Sequence, residues 1–83
     1  MVRAHIRMMT NEDCKRFVDD VNLSPQLELE TVVLQDETGR YQVDARSLLG
    51  VIYAACEFND HLYMVNLSED GHFPGFVDKY RVL

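Results

Sequence analysis

The clearest structural signal in the chain is a strand end that turns directly into a helix, VDARSLLGVIYAA, at residues 43–55. Ser47 is placed to cap that helix, because a serine hydroxyl can accept a hydrogen bond from one of the first unpaired backbone N–H groups. The residues after it are apolar almost all round, and Gly50 lets a neighbouring segment approach closely. A helix of roughly one and a half turns can point only part of such a set inward. We therefore expect some of these aliphatic side chains to form a contact site at the surface: Leu48, Leu49, Val51 and Ile52.

The chain before this segment predicts a strand, a helix and a hairpin. Strict alternation of apolar and polar residues over 2–8 indicates a half-buried strand. Thr10, followed by acidic residues, predicts a helix start, and apolar spacing carries that helix to Asn22. Segments 27–34 and 40–43 flank a cluster of turn residues, which predicts two strands joined as a hairpin.

The chain after this segment predicts a connector, a strand and a last helix. Residues 57–60 are expected to form the connector between the Ser47 helix and a fourth strand, which is predicted over residues 61–67. Apolar residues at helical spacing over 73–80 predict a final α-helix. The resulting order is βαββαβα in a single domain, 1–83. One-sided strands and amphipathic helices favour an α+β, open-faced β-sandwich, in which a four-stranded, mainly antiparallel sheet carries its helices on one face.

Composition narrows the class of partner. The 83 residues carry a net charge of -6, which repels phosphate backbones and anionic lipid, so neither nucleic acid nor a membrane is expected as a partner. No apolar run approaches the ~20 residues that span a bilayer, and we expect a cytoplasmic protein. The two cysteines, Cys14 and Cys56, are too few for a disulfide framework and are expected to be reduced, with Cys56 packed after two alanines.

Residues 46–52, RSLLGVI, resemble the regulatory-serine segment of the histidine-containing phosphocarrier proteins, the HPr family of the bacterial sugar phosphotransferase system. In that family a basic residue is followed by serine, two aliphatic residues, glycine and two more aliphatic residues. The length of the chain and the order of its elements agree with the family. The resemblance implies the open-faced fold, a serine that a dedicated kinase phosphorylates, and a surface that docks partner proteins. The matching positions are Ser47 for phosphorylation and Arg46, Leu48, Leu49 and Ile52 for docking.

The chain departs from the family at the phosphoacceptor. The phosphocarriers have a histidine just before the first helix, in a Gly-x-His-Ala-Arg-Pro type of motif, where helix N–H groups and the arginine stabilise the phosphoryl charge. Aligning Phe17 and Val18 with the family's apolar helix positions places Thr10 at the histidine position and Glu12 at the arginine position. A carboxylate there repels phosphate. We therefore expect no phosphoryl transfer by the family's route.

Two other residues near that end of the fold offer alternative chemistry. His5 on the first strand and Cys14 in the first helical turn are the chemically reasonable substitutes as phosphoacceptors. Cys14 is also a candidate for a thiol-based redox role, because a helix N-terminus and neighbouring basic residues lower a thiol pKa, although the neighbouring acidic residues oppose that shift. The histidines are expected to be solvated surface residues, and their spacing matches no metal site.

The function expected from these residues is that of an HPr-like regulatory or protein-interaction domain, related to the phosphotransferase system but not competent for phosphoryl transfer. Its expected partner is a protein that binds the Ser47 helix, from the phosphotransferase system or its regulation, or a second copy of this chain. No cofactor or metal is predicted. Catalysis is not expected either, because the carrier motif is absent.

Overall fold

A four-stranded antiparallel sheet with two α-helices packed on it makes up the fold. The computed structural model describes residues 1–82. The elements in chain order are β1 (Val2–His5), α1 (Asn11–Leu23), β2 (Val32–Gln35), β3 (Gln42–Asp44), α2 (Leu48–Phe58) and β4 (Tyr63–Asn66). The strand order is β1-β4-β2-β3, and each neighbouring pair is antiparallel. The predicted α+β class and sheet are confirmed.

The pairing register separates the two faces of the sheet. Ala4 pairs with Met64, Met64 pairs with Leu34, and Leu34 pairs with Val43, so one inward row crosses all four strands. Because side chains alternate along a strand, the adjacent row lies on the opposite face. That outer row consists of His5, Tyr63, Gln35 and Gln42.

Both helices contribute to the core on the inner face. From α1, the apolar positions at helical spacing are buried, among them Phe17 and Val21. From α2, Val51 and Ala54 are buried. Phe17 is fully buried and meets the Tyr80 ring edge to face, with ring centroids 5.2 Å apart. None of the helices within residues 1–82 has the length and apolar character that a membrane-spanning segment needs.

Both predicted helix starts are confirmed by their caps. The Thr10 hydroxyl accepts a hydrogen bond from the Asp13 N–H (3.1 Å), and the Asp13 carboxylate accepts one from the Thr10 N–H (3.2 Å). The Ser47 hydroxyl accepts a hydrogen bond from the Gly50 N–H (3.3 Å). These contacts pair backbone donors that the first helical turn leaves free. A Cβ added to Gly50 would lie 3.3 Å from Val43, so this glycine brings α2 close to β3.

α2 is longer than the sequence predicts. It has eleven residues and ends at Phe58, so residues 57–58 belong to its last turn and not to a connector. No glycine or proline interrupts its second half, and burial of Ala54 against the core stabilises the helix beyond its local propensity. The residue that caps the helix after Phe58 is Asn59, whose φ of 45° lies in the left-handed region.

The segment before β2 is a turn, and the predicted strand over 27–34 is wrong in its first half. Pro25–Leu27 forms a short 3-10 helix. The Arg46 guanidinium donates hydrogen bonds to the carbonyl oxygens of Leu27 and Glu30. Those carbonyls are therefore bonded to a side chain and not to a neighbouring strand.

The predicted final α-helix is a five-residue 3-10 helix, Gly75–Lys79. The Arg7 N–H donates to the Tyr80 carbonyl oxygen (2.8 Å), and Ile6 forms an antiparallel bridge with Arg81. The chain must be extended there to pair with the residues after β1, which leaves too short a segment for a stable α-helix. The order of α-helices and strands is thus β-α-β-β-α-β, and the last element of the βαββαβα prediction is wrong.

Candidate functional site

The solvent face of α2 is apolar. Leu49 is 82% exposed, Tyr53 is 55% exposed and Leu48 is 39% exposed. Ile52 is half-buried and packs against the core, and Val51 is fully buried. The expectation that part of this aliphatic set lies at the surface is therefore confirmed. Among the predicted docking residues, Leu48 and Leu49 are accessible, whereas Ile52 contributes to the core.

Two further leucines belong to segments that meet the start of α2. The Asn22 side chain donates to the Arg46 carbonyl oxygen (3.4 Å), which joins the end of α1 to the start of α2. Next to Asn22, Leu23 is 79% exposed, and Leu29, in the turn that Arg46 holds, is 97% exposed. The sequence placed Leu29 in the alternating half of the predicted strand 27–34, which is a turn in the structure, and it gave no signal for Leu23 at the end of α1. We call this set the leucine surface: Leu23, Leu29, Leu48 and Leu49.

The Arg46 side chain is committed to the fold. Its guanidinium donates to the carbonyl oxygen of Leu27 and, over 3.1 Å, to that of Glu30. Its backbone N–H donates to the Asp44 carboxylate (2.9 Å). Arg46 therefore fixes the turn beside the leucine surface. Its direct contact with a partner stays a prediction.

Ser47 is exposed at the edge of this surface. Its hydroxyl accepts the capping hydrogen bond, and its carbonyl oxygen accepts one from the Val51 N–H (2.9 Å). A phosphate on this hydroxyl would sit at a helix N-terminus, where the helix dipole favours negative charge. The position thus combines access with electrostatic tolerance, and phosphorylation of Ser47 stays a prediction.

The start of α1, where the family has its phosphoacceptor, is occupied by the chain's own groups. The Asp13 carboxylate accepts hydrogen bonds from the N–H groups of Met9 (3.1 Å) and Thr10 (3.2 Å). Thr10 is used as the cap, and Glu12 is exposed. A carboxylate already fills the role that a bound anion would have at this helix end.

Positive side chains do lie near this helix start, although they come from elsewhere in the sequence. Arg7, Arg16 and Lys79 line a cavity of about 290 Å³. Each of the three forms an ion pair with an aspartate. The positive charge here is thus compensated by carboxylates of the same chain. Within residues 1–82, no three histidine, cysteine or acidic side chains cluster as a metal site.

His5 is not the solvated surface residue that the sequence predicts. It is half-buried, and its ring stacks on Tyr63 with centroids 4.7 Å apart. Its Nε2 lies 2.5 Å from the Asp60 carbonyl oxygen. Because a carbonyl accepts and cannot donate, Nε2 carries a hydrogen in this contact and is not free to attack a phosphoryl group. Only the Nδ1 atom of His5 is left as a phosphoacceptor for the alternative carrier role.

The two cysteines differ in access. Cys14 is buried, and burial, followed by the neighbouring Cys56 and Asp13, raises the pKa of its thiol. A reactive thiol needs the opposite shift and an accessible sulfur, so this environment disfavours the redox alternative. Cys56 is exposed, contrary to the sequence expectation, because α2 turns that position to solvent. Both residues line one cavity.

A scan against protein-family models, a search of curated proteins and a search of solved structures find no match to this chain. The class that the described residues define is a small α+β domain with a four-stranded antiparallel sheet and two helices.

Proposed function

We propose that this chain is an HPr-like regulatory domain that binds a protein partner through the leucine surface and does not carry a phosphoryl group. The observation that supports this most is the exposure of the aliphatic side chains at the start of α2. Leu49 is 82% exposed, and no charged residue occurs in α2 before Glu57. Burying one such leucine side chain contributes about 1.5–3 kcal/mol to association.

The proposed partner is a protein that recognises HPr: the general phosphotransferase enzyme or the HPr serine kinase. The RSLLGVI segment and the element order support this class of partner. Loss of the carrier role is supported by the start of α1, where Thr10 and Asp13 pair with each other and Glu12 replaces a cation. The domain would therefore compete for this partner or regulate it, and it would not relay phosphate.

The docking test uses Leu48→Asp with Val82→Asp as its matched control. The two side chains are equally exposed, at 39% and 37%, and Val82 pairs with His5 away from the start of α2. An aspartate in the first turn of α2 is favoured by the helix dipole, and Leu48 lies outside the hydrophobic core, so we expect the variant to fold. We expect Leu48→Asp to weaken binding to either partner about tenfold, a loss of about 1.4 kcal/mol, and Val82→Asp to leave it unchanged.

Binding is measured by calorimetry with each purified partner, and the mass of the free domain by analytical ultracentrifugation. Equal effects of the two variants, or no binding to either partner, would overturn the proposal. A dimer that Leu48→Asp dissociates would replace the proposed partner with a second copy of this chain.

The phosphoryl test is intact-mass analysis after incubation with phosphoenolpyruvate and the general phosphotransferase enzyme, and separately with ATP and the HPr serine kinase. We expect no acid-labile adduct in the first reaction, and such an adduct would restore a carrier role at His5 or Cys14. In the second we expect an acid-stable adduct that Ser47→Ala abolishes. An adduct that still forms in the Ser47→Ala variant would place the phosphate on another residue and exclude regulation at Ser47.

A further inference from the structure

A cavity of about 430 Å³ lies between the β2–β3 hairpin and the last turn of α2. Its volume falls within the range of small-ligand sites, roughly 300–1,000 Å³. Three aromatic rings contribute to its walls. The rings of Tyr53 and Phe58 meet edge to face with centroids 6.3 Å apart, and Tyr41 belongs to the hairpin. Tyr41 and Tyr53 are 59% and 55% exposed, so their rings are open to a ligand.

The polar part of the lining is mostly acidic. Asp36, Glu37 and Glu57 line the cavity together with Thr38 and His61, and neither lysine nor arginine does. Glu37 contacts His61 Nδ1 (3.1 Å). None of the ion pairs formed within residues 1–82 involves Glu57. The cavity thus combines π-faces with one carboxylate that is free to accept hydrogen bonds.

The Asp36 carboxylate stays ionised at neutral pH. Its hydrogen bond with the Thr38 hydroxyl (2.7 Å), together with bonds from backbone N–H groups, lowers its pKa below the usual range. An anion is therefore repelled from this wall. An aromatic face attracts a cation through its quadrupole, and the attraction adds to that of the carboxylates. The chemistry of the lining favours an organic cation.

The same hairpin already binds one guanidinium group within this chain. Arg3 stacks on the Tyr63 ring with its guanidinium carbon 3.8 Å from the centroid. It also donates hydrogen bonds to the carbonyl oxygens of Asp36 (2.9 Å) and Glu37 (2.8 Å). A planar guanidinium can stack on a ring and donate in its own plane at once, which an ammonium cannot.

We propose that the cavity between Tyr41, Tyr53 and Phe58 binds the guanidinium group of an arginine side chain, with Glu57 as its carboxylate partner. The site needs only the cavity and does not depend on the leucine surface. Tyr53 lies four residues after Leu49, so the two sites share one side of α2. A bound arginine would accordingly be presented by a partner with a basic surface, in keeping with the net charge of -6 on this chain.

The test is an NMR titration of the folded chain with N-acetyl-arginine-N-methylamide, which models an arginine within a peptide. Its control is the citrulline analogue, which has the same length and no charge. We expect shift changes confined to the hairpin 36–41 and to 53–61, with a dissociation constant of about 1 mM that rises with salt. The citrulline analogue is expected not to bind. Free L-arginine is expected to bind more weakly, because the acidic wall repels its own carboxylate. Tighter binding of the free amino acid would overturn the assignment to a partner's side chain.

Three variants assign the site. Glu57→Gln and Tyr53→Leu are each expected to weaken binding about 3- to 10-fold. Glu28→Gln removes one exposed carboxylate from the turn that Arg46 joins to the start of α2, far along the helix from Glu57, and it is expected to leave binding unchanged. Leu48→Asp, the docking variant, is also expected to leave it unchanged, which separates this site from the proposed function.

Equal binding of the citrulline analogue, or unchanged affinity in both Glu57→Gln and Tyr53→Leu, would overturn the proposal. So would the absence of shifts up to about 50 mM ligand, far above the expected dissociation constant. The lysine analogue is expected to bind more weakly, since an ammonium is more strongly hydrated. Equal binding of the lysine analogue would contradict the guanidinium assignment.

Discussion

Replacing Gly71 by alanine should destabilise this domain through a single collision. An added Cβ would lie 2.5 Å from Cγ, 2.6 Å from Oδ1 and 2.8 Å from Nδ2 of Asn66, which is fully buried. The Asn66 amide donates to the Glu30 carboxylate and to the His72 carbonyl oxygen (3.2 Å), and it accepts from the Ser68 N–H (3.0 Å). The side chain cannot move without losing some of these bonds.

The magnitude follows from the groups left unpaired. Each buried polar group that loses its partner costs about 1–3 kcal/mol, so the loss of two partners costs about 2–6 kcal/mol. A domain of this size has a free energy of unfolding of about 4–12 kcal/mol. Gly71→Ala should therefore remove a large part of the stability, which urea denaturation followed by circular dichroism measures.

Gly75→Ala is the matched control. No atom lies within 4 Å of the Cβ that it would add, and neither Gly71 nor Gly75 has a positive φ. Gly75→Ala is expected to change the free energy of unfolding by less than about 1 kcal/mol. In an Asn66→Ala background, which lacks the colliding atoms, Gly71→Ala should cost little, with a coupling of at least about 1.5 kcal/mol. Equal midpoints for the two glycine variants, or no coupling, would refute the collision.

Three further outcomes are expected. Iodoacetamide should modify Cys56 first and Cys14 slowly, because burial shields the Cys14 thiol and raises its pKa. Mass spectrometry of the Cys56→Ser variant should then show one slowly modified site. Fast modification of that site would contradict the buried position of Cys14. Thr10→Ala removes the cap of α1 and should cost about 0.5–2 kcal/mol in urea denaturation, whereas Thr10→Ser should cost little. Arg46→Met keeps the aliphatic stem but removes the hydrogen bonds to the Leu27 and Glu30 carbonyl oxygens, of which Leu27 still accepts from the Glu30 N–H. Hydrogen exchange should increase at residues 27–30 while residues 11–17 stay protected.

The sheet and the helix starts could be predicted because their signals are local. Alternation over 2–8 places Ala4 and Ile6 on the buried face, and it needs no knowledge of other segments. The caps at Thr10 and Ser47 depend on groups three residues away in the chain. Short-range hydrogen bonds and periodicity are properties of a segment, so the segment's own residues reveal them.

Errors arose where a distant contact overrode the local pattern. The final helix was expected from the spacing of Phe73, Phe76, Val77 and Tyr80, yet pairing of Arg81 with Ile6 limits it to a 3-10 helix. The strand expected over 27–34 is shortened because carbonyl oxygens before β2 bind the Arg46 guanidinium. In both cases hydrogen bonds across a long sequence separation satisfy backbone groups that the local pattern assigned elsewhere.

One candidate site was indicated by local sequence, and the other depends on long-range packing. Leu48, Leu49 and Ser47 belong to one short segment, and its apolar composition alone indicated a surface contact. The acidic aromatic cavity joins the hairpin to the end of α2, and no sequence pattern connects Tyr41 with Tyr53. Local composition therefore determines which elements form. It also shows which helix carries more apolar residues than its one buried face can hold. Long-range packing alone brings distant rings and carboxylates together, because the energy of burial depends on neighbours in space and not in sequence.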